Sequence, residues 1–82
     1  MAARRTPRFH LERARQHVAE AEQRVAAQRD LVERMVRDGD SEAGINTAKA
    51  LLRTFEETLA TMRFHLEQEA STAKMDLGPD ER

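Results

Sequence analysis

The chain has no cysteine, tryptophan or tyrosine, and only three phenylalanines, three glycines and two prolines. Without cysteine, disulfides and thiolate-held zinc or iron–sulfur sites are excluded. The shortage of aromatics removes the stacking platforms with which proteins hold single-stranded nucleic acid. No apolar run approaches the ~20 residues of a membrane-spanning helix, and the N-terminus lacks the apolar stretch of a secretion signal, so a cytoplasmic location without a membrane partner is expected. Charge of one sign is scarce too. Fourteen Lys and Arg against fifteen Asp and Glu leave a formal net charge of −1, which gives no overall attraction to nucleic acid or anionic lipid. Glycine-rich phosphate loops are missing, and Ser41 and Ser71, the two serines, have no expected histidine neighbour. No catalytic constellation results, so the chain is expected not to be an enzyme and to need no cofactor.

What remains is a short, polar and strongly periodic sequence. Its 82 residues are 39% hydrophobic and 35% charged, enough for one small core. Near this size a single core seldom supplies more than ~3–5 kcal/mol, and small chains commonly add disulfides, metals or association. With disulfides excluded, association is the expected route.

Residues 1–6 carry no apolar period and read as a basic tail. Thr6-Pro7 is a helix start, because a threonine hydroxyl can accept from a free backbone N–H and proline suits the first helical position. From there the sequence holds no glycine or proline until Gly39, and it is rich in the good helix formers Ala, Glu, Gln and Arg. This predicts a helix over about 7–38. The stretch Asp38-Gly39-Asp40-Ser41 is a turn over about 39–41: Gly39 can take the left-handed conformation that closes a helix, and Asp40 or Ser41 can cap the next. A second helix is expected over about 42–76, with residues 77–82 as a frayed end beyond it at Leu77-Gly78-Pro79. The expected architecture is all-α: an antiparallel two-helix hairpin, residues 7–76, with coiled-coil-like packing.

The register is readable. Leu11, Ala14, Val18, Ala21, Val25, Gln28, Val32 and Met35 recur at alternating spacings of three and four, as do Ile45, Ala48, Leu52, Phe55, Leu59, Met62, Leu66 and Glu69. Both are heptad seams. Folding back at Gly39 pairs them layer by layer, from Met35 with Ile45 out to Leu11 with Glu69, and several layers set a small residue against a large one.

Two flanks border the seam. On the first, His10, His17, Arg24 and Leu31 lie opposite Thr72, His65, Thr58 and Leu51, and the two leucines widen the apolar stripe near the turn. On the second, Arg15 faces Arg63, Glu22 faces Glu56 and Arg29 faces Lys49. These directly opposed like charges repel, so the diagonal pairs Glu22 with Arg63 and Arg29 with Glu56 are the compensating contacts to expect, each contributing a few tenths of a kcal/mol. Because a lone hairpin half-exposes its seam, pairing two copies into a four-helix bundle is expected. The expected interface comprises Val18, Val25, Gln28, Leu31, Val32, Leu51, Leu52, Phe55, Leu59 and Met62. A helix of another protein is the alternative occupant.

Several further features bear on chemistry. His17 and His65 are the candidate metal ligands; His10 stands two turns from His17, ~10 Å along the axis, too far to share an ion with it. The more ordinary reading is two partly buried histidines bonding across an interface. Arg4, Arg5 and Arg8 form a basic arm that can touch the phosphates of nucleic acid, against the simpler reading of a solvated tail. The acidic turn Asp38, Asp40, Glu42 opens like a calcium loop but has Ala43 and Lys49 where glycine and glutamate are required. Gln28, the one amide in the apolar seam, reads as a register-setting group that finds a partner in the assembled bundle. Phe64 falls on the outer face, where a partner contact is the less favoured reading.

His10, His17-Val18-Ala19-Glu20, Gln28-Arg29-Asp30-Leu31-Val32, the turn at Gly39, and Leu51-Leu52-Arg53-Thr54-Phe55-Glu56-Glu57-Thr58-Leu59 with His65 together resemble a family of short proteobacterial helical-hairpin proteins of unknown function. The resemblance spans about residues 10–69. It implies a bacterial, intracellular origin and brings no activity or binding residues with it. Members often carry histidine where this chain has Arg24 and Met62. The functional expectation is therefore a non-enzymatic interaction or regulatory module that self-associates, with nucleic-acid association through Arg4, Arg5 and Arg8, or metal binding by His17 and His65, as alternatives.

Overall fold

Helix ends decide where this chain reverses. In the computed structural model, which describes the backbone of residues 7–77 and the side chains of residues 10–72, helix α1 runs Pro7–Arg37 and helix α2 runs Glu42–Leu77. The expected tail at 1–6, the Thr6 cap and residues 78–82 of the expected frayed end lie outside the described residues. Gly39 has φ 73°, in the left-handed region where a Cβ would crowd the backbone. With it there, Gly39 N–H donates to the Val36 carbonyl at 3.2 Å and Asp40 N–H to the Met35 carbonyl at 3.0 Å. This is the paired 5→2 and 6→1 closure of a Schellman motif, which satisfies carbonyls that α1 leaves open.

The second helix is capped at once. Of the two candidate caps, Ser41 is the one that bonds: its Oγ accepts from the Gly44 N–H at 3.1 Å, and its carbonyl accepts the first helical bond, from Ile45 N–H, at 3.0 Å. Glu42 adds negative charge in the first turn, where the helix dipole favours it. Gly44 has a local reason to be glycine. A Cβ there would lie 3.1 Å from Ser41 Oγ and 3.5 Å from Met35 Cε, pressing on the capping hydroxyl.

The two helices pack as an antiparallel hairpin, and among the described residues there is no strand. The core is a thin strip: Val18, Ala21, Val25 and Leu59 form its buried centre, with Leu52, Phe55, Met62 and Leu66 half-buried against it. Val32 and Ala48 continue the buried line toward the turn. All these residues lie on the two heptad seams. At the far end the register drifts: Glu69 is exposed and Ala70 is half-buried instead. A carboxylate is costly to remove from water, and an untwisted helix of 3.6 residues per turn brings the residue four beyond Leu66 inward in its place.

Gln28 is buried, and its partner lies within the hairpin. Nε2 donates to the Ala48 carbonyl at 3.0 Å. Helix carbonyls point toward the C-terminus, so that oxygen leans from the Ala48 layer toward the Leu52 layer, which Gln28 faces. The amide needs no second copy to be satisfied, contrary to the sequence expectation.

Candidate interaction surface

The two flanks of the seam differ in chemistry. On the charged flank seven of eight heptad positions are ionic: Arg15, Glu22, Arg29, Glu42, Lys49, Glu56 and Arg63, with Val36 the exception. Arg29 Nη2 reaches Glu56 Oε2 at 3.0 Å, and Arg63 Nη2 reaches Glu22 Oε2 at 3.0 Å. These are the diagonal pairs expected from the sequence. They bridge a shallow groove of about 310 Å³ whose floor includes Val25, Ala26 and Leu59, so on this side long polar side chains already span the seam.

On the histidine flank, the equivalent eight positions are His10, His17, Arg24, Leu31, Leu51, Thr58, His65 and Thr72, and only Arg24 carries a formal charge. Leu31 and Leu51 are 37% and 44% exposed. Left about two-fifths exposed at adjacent positions on neighbouring helices, each leucine forgoes that fraction of the ~1.5–3 kcal/mol that full burial brings. Neither helix can cover them, because both belong to the rim of a two-helix seam.

The other sequence-derived interface residues divide by depth. Val18, Val25, Gln28, Val32 and Leu59 are buried between α1 and α2, whereas Leu52, Phe55 and Met62 are half-buried. The first group is consumed by the hairpin itself. A partner can reach the second group, together with Leu31 and Leu51.

His17 and His65 are both exposed, not partly buried. The reason is the same geometry: a flank position in a two-helix hairpin has protein on one side and water on the other. The His65 ring lies near that of Phe64, with centroids 6.0 Å apart and planes tilted by 55°. Among the described residues no group of three or more His, Asp or Glu is placed to hold a metal ion within one hairpin. Arg4 and Arg5 lie outside the described residues, as does the side chain of Arg8, which belongs to the first turn of α1.

Two exposed apolar residues complete the surface. Phe64 is 57% exposed on the outer face of α2, as the sequence suggests, and Val36 is 54% exposed beside the turn. Val36 escaped the sequence reading because it occupies a heptad position on the flank whose other members are ionic. No described helix is long and apolar enough to cross a membrane. The chain matches none of the protein families, curated proteins or solved structures with which it was compared.

Proposed function

We propose that this chain is a non-enzymatic interaction module that self-associates, two hairpins pairing through their histidine flanks into a four-helix bundle. The observation that carries this reading is the asymmetry between the flanks. One is ionic and cross-bridged by Arg29–Glu56 and Glu22–Arg63, and the other is nearly uncharged and leaves Leu31 and Leu51 in water.

Size supports it as well. α1 has 31 residues, about 46 Å at 1.5 Å per residue. A strip of that length and two helices wide offers on the order of 800 Å², the area per partner of a stable protein interface. Pairing would cover Leu31, Leu51 and the open sides of Leu52, Phe55 and Met62 at once.

The test is sedimentation equilibrium of the full chain at micromolar concentration. The expected mass is that of two chains. Leu51→Asp should shift it to one chain while leaving the helical circular-dichroism signal in place, because Leu51 contributes little to the hairpin's own core. A wild-type chain that sediments as a folded monomer at tens of micromolar, both with and without added divalent metal, would overturn the reading.

A further inference from the structure

His17 and His65 occupy the same layer of the hairpin, two heptads from the layer of Leu31 and Leu51 on the same flank. One hairpin offers two imidazoles there, short of a metal site. A second copy changes the number. This step rests on the self-association proposed above and adds the orientation of the two copies and a ligand.

Two arrangements bring the histidine flanks together. In one, the two-fold axis crosses the hairpins and the copies run head to tail. Centring Leu31 and Leu51 on their counterparts then places the axis eight residues from Gly39, so the copies overlap over only ~24 Å at 1.5 Å per residue. Sliding them to lengthen the overlap sets the leucines against Arg24 or the histidines. In the other arrangement the axis runs along the hairpins and the turns lie at one end. Every layer then meets its own copy over the full length. α1 neighbours α2 of the second copy, and they are antiparallel. Leu31 stands beside the other Leu51, Arg24 stands beside the other Thr58, and the two arginines fall on the diagonal. Apolar meets apolar, and no charge faces a leucine.

That arrangement also sets His17 and His65 of one copy beside His65 and His17 of the other. We propose that the paired hairpins hold one divalent transition-metal ion, with zinc the best match, in this four-histidine layer. Four neutral imidazoles form a closed tetrahedral donor set, with metal–nitrogen distances of ~2.0–2.1 Å, and imidazole suits zinc, copper and nickel over the harder cations. The surroundings fit a dication. Glu20 is three residues beyond His17 and Glu69 four beyond His65, each one helical turn away and able to accept from the second ring nitrogen, as carboxylates behind metal-bound histidines do. Arg13 stands one turn before His17, on the opposite side from Glu20 along the axis, and the nearest cation within the flank stripe itself, Arg24, is a full heptad off, ~10 Å along the axis. The Phe64 ring stands beside that of His65, with centroids 6.0 Å apart.

The test titrates the full chain with zinc against a chromogenic chelator, following mass by sedimentation, and repeats it with cobalt to read the visible absorption of a tetrahedral nitrogen site. The expected result is one zinc per two chains and a dimer dissociation constant at least tenfold lower with zinc than with chelator. His17→Ala and His65→Ala should each abolish the cobalt spectrum and the zinc effect with unchanged helicity, and His10→Ala should preserve both. A dimer that forms only with zinc supports the site equally. A dimer that binds no zinc would overturn the metal site and leave self-association standing, and one ion per chain retained in monomeric Leu51→Asp would overturn the shared site. A chain that stays monomeric with and without zinc would sink both.

Discussion

Gly39 is the residue on which the chain's reversal depends, and its cost of replacement can be stated. A Cβ at Gly39 would meet nothing within 4 Å, so the penalty for Gly39→Ala is conformational alone. Holding an L-residue at φ 73° costs roughly 1–2 kcal/mol, partly offset by the smaller entropy of an alanine-containing unfolded chain. A net loss of about 1 kcal/mol is expected, read as a lower denaturant midpoint at constant slope; an unchanged midpoint would show that the Schellman closure is dispensable. At this scale the sequence was legible wherever chemistry is local, as in the turn glycine and the serine cap. It was less so where a side chain had to choose among acceptors. Gln28 stood out as the one amide in an apolar seam, but nothing in its spacing reveals that the Ala48 carbonyl is within 3.0 Å, since that depends on the small alanine leaving the carbonyl accessible. Gly44 likewise looks like a helix defect in the sequence, and the reason for it, space for Ser41 Oγ and the Met35 methyl, exists only once both helices are in place.

Between elements, α1 and α2 are joined by an apolar strip and pinned by two ion pairs. The seams made this packing legible because a period of 3.5 in both helices, with the fold-back fixed at Gly39, leaves one antiparallel alignment of the apolar layers. The ion pairs were legible for the same reason: with like charges directly opposed, each arginine has a carboxylate one step along the diagonal. Glu69 was misplaced because strict heptad counting ignores both the drift of a straight helix and the cost of drying a carboxylate. The ion pairs themselves contribute little to stability. Arg29 and Glu56 are about half exposed, and exposed pairs are typically worth ~0.2–1 kcal/mol. A double-mutant cycle with Arg29→Ala and Glu56→Ala should give a coupling in that range at low salt, shrinking at 1 M salt where the Debye length falls to about 3 Å. A coupling above about 2 kcal/mol would mean that the pair is far less hydrated than its exposure indicates.

Across the whole molecule, burial is deepest along the middle of the seam and thins toward both ends. Val18, Ala21, Val25, Val32, Ala48 and Leu59 are buried, while Met35 and Ile45 beside the turn and Leu11, Ala14, Leu66 and Ala70 at the opposite end are half-buried. What the candidate surface does was the least legible part of the sequence, because a flank acquires meaning only when something covers it, and the histidines read as half-buried simply because an unseen partner was counted in advance.

The tight closure at Gly39 has a kinetic side. The Met35–Ile45 layer closes across nine intervening residues, whereas the Leu11–Glu69 layer closes across 57, and the entropy lost on joining two points grows with the chain between them. The hairpin should therefore close like a zipper started at the turn and open from the other end. Amide exchange measured on the monomeric Leu51→Asp chain should show protection highest from Val25 to Phe55 and falling outward along both helices together. Uniform protection along α1 would refute this. A protein built in this way has a firm end and a yielding end, and pairing two copies changes most what happens at the yielding one.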